Sequence, residues 1–538
     1  MDKQGQSQRA LTIRANVNRD RSGWRVGRPI GPSGLLTLPP VTPAIPDRTQ
    51  VLVIGGGPAG AGMATVLAEA GIPTLLLERR TFPRPRIGES LTPKVTPLLS
   101  ILGVREQVEA AGFVRMAGTT VDHGAGRETH LFDPEGRRLG YQADRSVFDQ
   151  LLLRRARAAG AQVQEAVKVI GVVRAGDRVV GAEWASPNGS GRVEAELVVD
   201  ASGGAAVMAR ALGQRRRALQ RTVALAGYFR GGRRPTEHPP GDTLFEMIDE
   251  GWIWSVLHAD GRRNVTLGLD AARVRARSAS YLDLYHRLLE RSRLVAPLLV
   301  GASLIGGLSA HDATWARSDR YAGEGWLLSG DAASVIDPLT SQGVYKALQS
   351  AIVGAAVVQT VLRRPADRAL ALEYYQESQA RFAANYAAIA LSFYRRSPHQ
   401  EQPFWRTRTQ SAFADGADVE SADLQILAER RRRFTERVTQ AGGDRVAVRV
   451  RPGISVQPRP VAERGFIELR PGWMVDGAPI DAAGVDPEAL LSALGGGTVA
   501  QAFEAYVAQT GQERSSALAR ALMIALGNLA ERDLLEIA

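Results

Sequence analysis

One stretch limits the fold more than any other: VLVIGGGPAGAGMATVLAEAGIPTLLLERR, residues 51–80. An apolar run, a glycine turn, an alanine-rich helical stretch and a second apolar run ending at Glu78 spell one βαβ unit. The spacing carries the chemistry. Gly55 permits a tight turn, Gly57 lets the backbone approach a pyrophosphate, and Gly60 lets helix and strand pack closely. The helix that opens at Pro58 and Ala59 presents free N–H groups to an anion. Glu78 is placed for a ribose 2′-hydroxyl, with Arg79 beside it. The segment therefore predicts an α/β chain that binds a dinucleotide.

Composition narrows the chemistry. The 538 residues are 44% hydrophobic and 23% charged, a globular balance with length for a large core and a small extra domain. Cysteine is absent, which removes disulfides, thiolate metal sites, iron–sulfur clusters and cysteine nucleophiles, so any redox work falls to a bound cofactor. The net charge of +11 looks like a nucleic-acid signal, but nearly half of it sits in residues 1–48, a basic, proline-rich leader read as a flexible tail or an over-called start. No nucleic-acid partner and no metal site are expected. The longest apolar run, AIVGAAVVQTVL from Ala351, reads as a buried helix, so no membrane span and a cytoplasmic location are expected. Lysine occurs only at Lys3, Lys94, Lys168 and Lys346.

Four regions follow: the leader 1–48, a core 49–405, a charged helical connector 406–445 and a small tail 446–538. Within the core, residues 167–201 alternate strand-like runs with turns and suggest an antiparallel meander. Residues 222–270 add further strands, including EGWIWSVLHADG, where Trp252 and Trp254 point to one face. A second anchor, GWLLSGDAASVIDPLTSQGVYKAL from Gly325, delivers Gly330 and Asp331 from a strand. It then passes Pro338 into Gln342 and Gly343, where a long helix starts. Asp331 can bind a sugar or ribityl hydroxyl, and the helix start suits negative charge.

With these segments in place the chain resembles the superfamily of FAD-dependent aromatic hydroxylases and flavin-dependent halogenases, over roughly residues 50–405. The match rests on the Gly55–Glu78 fingerprint, RIGESLTP at 86–93, DRSVFDQLLLRRA from Asp144, and the Gly330-Asp331 segment. The Gly-Glu-Ser-Leu element, with FYRR at Phe393 and PFW at Pro403, resembles the halogenase-like branch. The resemblance implies FAD as cofactor, a Rossmann-like domain with an inserted antiparallel substrate sheet, and FAD contacts from Arg86, Glu89, Ser90 and Arg145. With no second nucleotide fingerprint, it also implies a separate flavin reductase or a visiting NAD(P)H.

Two chemistries stay open. The resemblance implies a flavin C4a-hydroperoxide whose distal oxygen goes either to an electron-rich ring or to a halide. In the latter case a lysine directs the hypohalous acid. The two positions where relatives carry that lysine hold Pro97 and, in the pair Arg115-Met116, no lysine. Val256 and Leu257 replace the isoleucine and proline that complete the halogenase tryptophan signature. The expectation is therefore a monooxygenase acting on an aromatic ring, with halogenase as the alternative and a non-oxygenating reductase or sensor behind both. Candidate catalytic residues are Lys94, as a displaced lysine, Trp252 and Trp254, as cavity lining, and His258, as a base; His123 is a second candidate base. Lys346 is expected to face solvent or a phosphate.

The tail combines GFIELRPGWMV with helical spacing at Leu518, Leu522, Ile524, Ala525, Leu526, Leu529 and Leu534. This suggests a winged-helix-like domain, faintly similar to peptide-recognition modules, and hence a peptide- or carrier-tethered substrate.

Overall fold

The computed structural model describes residues 44–124, 126–132, 138–233, 241–276, 280–409, 421–443, 445–475 and 478–537. The leader up to residue 43 and the connector's stretch 410–420 lie outside the described residues. The chain forms two compact units, Met1–Gly354 with Phe393–Gly416, and Ala355–Ser392 with Ala417–Ala538.

In the first unit, strand Arg48–Ile54 lies between Thr74–Glu78 and Gly189–Asp200, parallel to both. Gln162–Glu165 and Trp326–Leu328 extend the parallel sheet on either side. Val51, Leu52 and Val53 are fully buried, as strands covered on both faces require. Helix Pro58–Glu69 follows the glycine turn, with Gly57 as its extended N-cap. The expected meander is present as Lys168–Ala175, Arg178–Ser186 and Gly189–Asp200. Its last strand runs on into the parallel sheet, and Glu194 faces both Gly181 and Arg48.

A seven-stranded sheet carries the other half of this unit. From one edge its strands are Ser303–Asp312, Thr222–Arg230, Arg263–Asp270, Gly251–Leu257, Thr243–Ile248, Gly118–Asp122 and Arg127–Leu131. All neighbours are antiparallel except Thr243–Ile248 and Gly118–Asp122. Alternation gives the sheet two characters. Leu225, Phe229, Ile253, Val265, Leu267 and Leu269 turn to an aliphatic core completed by Leu284, Leu288 and Leu289 of helix Tyr281–Glu290. Each such side chain contributes about 1.5–3 kcal/mol by leaving water. The opposite face presents the tryptophans.

The second unit has its own core around Phe434, Trp473, Leu490, Tyr506, Leu522 and Leu529. It contains a three-stranded sheet of Gly495–Thr498, Ala447–Val450 and Leu535–Ile537, and a second one built on the hairpin Ser455–Glu463 and Phe466–Val475. The tail is not alone in this unit. Thr360 Oγ1 accepts from Ile467 N at 2.9 Å, and the Arg364 guanidinium stacks 3.8 Å above Phe466 while pairing with Glu468. Of the apolar helical positions in the tail, Ile524 is exposed, because the periodicity places it on the outer side of a helix whose inner side holds Leu522 and Leu526.

Helix Gly343–Arg363 is the one described helix long and apolar enough to cross a membrane, and 78% of its apolar window is buried inside the protein.

Candidate functional site

A cavity of about 960 Å³ opens in the first unit. One end is lined by Gly55, Gly57, Pro58, Ala59, Glu78 and Arg79, the other by Trp252, Trp254, Asn264, Thr266 and His311. Between them lie the loop Arg84–Ser90 and the turn of Asp331, Pro338 and Gly343.

At the first end backbone packs on backbone. A Cβ on Gly60 would stand 1.8 Å from the Gly55 carbonyl oxygen, and one on Gly55 would stand 2.6 Å from that of Ala201. Gly60 is thus a packing glycine set behind the cavity wall. The Glu78 carboxylate accepts from Gly56 N at 2.7 Å and from Arg80 N at 2.8 Å, so it braces the turn as well as facing the cavity. Arg145 bonds Asp149 at 2.8 Å and reaches the carbonyl oxygens of Ile87 and Gly88 at 3.3 and 3.1 Å. It lines the cavity while clamping the loop that carries Arg86, Glu89 and Ser90.

Sequence reasoning passed over two features here. Arg84 stands 3.5 Å from where a Gly57 Cβ would project, and its buried Nε has no partner among the described residues. Burial lowers its pKa against the raising influence of Asp149 and Glu78. The only signal was the density of arginines in RRTFPRPR. The second feature is Asp200-Ala201-Ser202-Gly203-Gly204, where buried Asp200 accepts from Ser202 N at 2.9 Å and Met208 N at 2.7 Å and shapes a second turn against the cavity. Its signal, VVDASGG, reads from sequence merely as a strand end.

The Gly330-Asp331 turn is held from behind. Arg215 donates to the carbonyl oxygens of Asp331, Ala332 and Ala333 at 3.0, 2.9 and 3.2 Å, and burial lowers its pKa to about 10. Lys346 is fully buried, 3.1 Å from Asp331 Oδ1 and bonded to the Ser334 carbonyl. This corrects the expectation of a lysine facing solvent or a phosphate: the turn of the helix aims it inward at the carboxylate. Burial works against ionised Asp331, but Lys346, Arg86 and Arg215 outweigh it and hold the carboxyl below its ordinary range. Gly330 and Gln342 sit behind the lining, where a Gly330 Cβ would meet Ala59 at 2.8 Å and Gln342 Nε2 donates to Thr92 at 3.3 Å. Asp337 is buried too, accepting from Trp315 and Tyr394 at 2.5 and 2.6 Å, and Tyr394 packs on Trp405. The FYRR and PFW segments thereby lock onto the turn that ends at Pro338.

At the other end the sheet presents transverse rows of side chains. Trp252, Gly268, Ala224 and His311 are cross-strand neighbours in one row. Trp254, Thr266, Ala226 and Ser309 make the next. The buried Trp252 indole lies over Gly268, where a Cβ would meet it at 1.9 Å. The floor between that indole and His311 is Ala224, one strand spacing of about 4.8 Å wide. His311 Nε2 is 3.0 Å from Ser309 Oγ, and burial, then Arg86, lowers its pKa. It is the single histidine among the described lining residues. In the third row, buried Asn264 uses its Oδ1 to accept from Thr266 at 2.8 Å, while its Nδ2 has no partner among the described residues.

The remaining catalytic candidates lie elsewhere. His258 is buried behind the wall, its Nε2 3.1 Å from Glu89 Oε1 though off the line of a hydrogen bond, and Tyr228 donates to the same oxygen at 2.7 Å. It steadies Glu89. Exposed Lys94 caps helix Val95–Ile101, its ammonium 5.8 Å from the Tyr345 ring centre. Neither lines the cavity. Met116 is buried with its sulfur 3.1 Å from Ser90 Oγ and 2.8 Å from Thr243 Oγ1.

Comparison with known proteins joins these pieces. The FAD binding domain family matches residues 48–388. A tryptophan 2-halogenase of Chondromyces crocatus is 35% identical over 370 residues, 67% of this chain and 70% of that protein. The chain belongs to the family of FAD-dependent halogenases and aromatic hydroxylases. The crystal structure of CmlS, a flavin-dependent halogenase, superposes with a TM-score of 0.73 at 25% identity, covering 91% of this chain and 96% of that one. QhpG, a peptidyl tryptophan dihydroxylase, shares the fold with a TM-score of 0.59 at 23% identity, covering 90% of this chain and 100% of that one.

As a family member the chain binds FAD, and its residues fit that cofactor. The glycine cradle is open at Gly57 where a phosphate would need to approach, the Arg84 guanidinium stands beside it with its Nε unpartnered among the described residues, and Asp331 is kept ionised facing the cavity. The enzyme is an FAD-dependent oxidoreductase.

Proposed function

We propose that this enzyme is a flavin-dependent halogenase acting on an electron-rich aromatic ring. Kinship carries the reading: the tryptophan 2-halogenase and further relatives at 30–31% identity bear the name halogenase. It replaces the monooxygenase that the missing lysine signals suggest. FAD, when bound, activates O2, and a separate flavin reductase supplies its reduced form. The chain's own residues bind and orient. Gly57, Arg84 and Arg145 hold the dinucleotide, and Asp331 takes a ribityl hydroxyl. Trp252 and Trp254 wall the aromatic substrate above Ala224, excluding water. His311, neutral near pH 7, accepts the proton of a ring N–H or O–H.

A specific observation favours oxygen insertion as the second reading. No lysine lines the cavity among the described residues, and the pair Arg115-Met116, where the resemblance puts one, holds none. Mass spectrometry decides between them. Given reduced FAD, O2, bromide or chloride and aromatic substrates, free or tethered to a peptide or carrier, the halogenase yields a halogenated ring. A hydroxylated ring formed equally without halide would establish the second reading instead.

A further inference from the structure

The hairpin at the far edge of the seven-stranded sheet carries three metal-ligand side chains that the flavin chemistry leaves unused. His123 lies just beyond strand Gly118–Asp122, and Glu128 and His130 lie on strand Arg127–Leu131. Glu128 and His130, two residues apart, project from one face of that strand. Across the hairpin Glu128 Oε2 stands 3.7 Å from His123 Nε2 and 3.4 Å from His130 Nε2, and the three ligand atoms lie within 4.8 Å of one another. We propose that His123, Glu128 and His130 bind one divalent transition-metal ion of zinc-like ligand preference.

The spacing suits such an ion. Ligands held at about 2.0–2.1 Å in a tetrahedral shell are separated by roughly 3.3 Å, so small side-chain rotations bring all three atoms into place. Two imidazoles and one carboxylate match the ligand preference of zinc, with a position left for water on the exposed side. Glu128 is available, because the neighbouring cations are taken: Arg127 and Arg293 both pair with Asp122.

A structural purpose follows from the strand itself. Every residue of Arg127–Leu131 is exposed, so burial contributes little to keeping this edge in place. It depends on its ladder with Gly118–Asp122 and on the Thr120–Thr129 hydroxyl pair at 3.0 Å. An ion shared by His123, Glu128 and His130 would tie both strands together and pin the sheet edge, with one further strand between this hairpin and the strand that bears Trp252.

Cobalt(II) tests the site on the FAD-loaded, full-length protein. The expected result is one equivalent per chain with the intense visible bands of tetrahedral cobalt, displaced by zinc, and a zinc-dependent rise in Tm. His123→Ala and His130→Ala should each lose the bands and the Tm response while keeping FAD content and far-UV dichroism, since both side chains lie outside the core. Wild-type protein without the one-equivalent tetrahedral spectrum, or variants that retain it, would overturn the site.

Discussion

Two glycines at opposite ends of the cavity make room for different things. Gly60 admits a backbone carbonyl, with a Cβ 1.8 Å from Gly55 oxygen; Gly268 admits an indole, with a Cβ 1.9 Å from Trp252. The distances are nearly equal, yet their meaning differs. The Gly55 carbonyl is fixed by a turn between a buried strand and a buried helix, so nothing there can yield. The Trp252 ring turns about two side-chain torsions and can move into the cavity. The nucleotide end is therefore rigid and intolerant, whereas the ring end is adjustable and tuned for what it holds.

Substitutions measure that contrast. Gly60→Ala should have the largest effect: helix and strand are forced apart, at a cost on the order of 3 kcal/mol or more, and flavin absorbance is lost from the purified protein. If the variant retains FAD at wild-type affinity, the cradle is not rigid.

His311→Asn comes next and acts on turnover rather than on FAD binding. The kcat/KM for a ring bearing N–H or O–H should fall about 100-fold, with FAD affinity unchanged and little loss on the N- or O-methylated ring. An equal loss on both substrates would reduce His311 to packing. A pH signature accompanies it. Because the folded site lowers the His311 pKa from 6.5, the unfolded chain takes up a proton that the folded site refuses, and this group's stability contribution declines as pH falls below 6.5. His311→Asn should flatten that part of the Tm profile.

Asp331→Asn removes a charged partner from the flavin and from Lys346. FAD affinity should drop about 10- to 100-fold, the 1.5–3 kcal/mol of a charge-assisted hydrogen bond. Adding Lys346→Met should restore part of the lost stability, by removing a buried ammonium left unpaired, without restoring FAD affinity. Recovery of both would mean that Asp331 serves the lysine more than the cofactor.

Gly268→Ala should give the smallest change. The indole must shift by about 1.5–2 Å to reach ordinary contact, FAD binding stays intact, and kcat/KM falls roughly tenfold with a changed preference among ring sizes. Unchanged selectivity would remove Trp252 from the substrate wall.

Much of the nucleotide end was legible because its parts are consecutive. Gly55, Gly57, Gly60 and Glu78 occupy one βαβ unit, and their spacing is the geometry. Arg84 and Asp200 escaped notice because an arginine in a proline-rich loop and an aspartate at a strand end acquire a role only when the chain folds back on the turn. The histidines teach the same lesson. His258 directly follows the tryptophan strand and looked like the base, but it ends up behind Glu89; His311 is 59 residues from Trp252 and ends up in its row. The tail depends on a helix region more than fifty residues upstream, through Thr360 and Arg364, so a cut at Gly443 would strip that surface rather than release an independent module.

What the chain determined by itself is whatever local spacing encodes: the dinucleotide-binding βαβ unit and the alternation that sends Trp252 and Trp254 to one face. What only the tertiary structure decided is which side chains face the cavity together. Cross-strand neighbours are set by register, and register is a property of pairing between distant segments. Lys346, Met116, His258 and His311 therefore took their places from the packing of strands and helices around them, a consequence that no reading along a single segment contains.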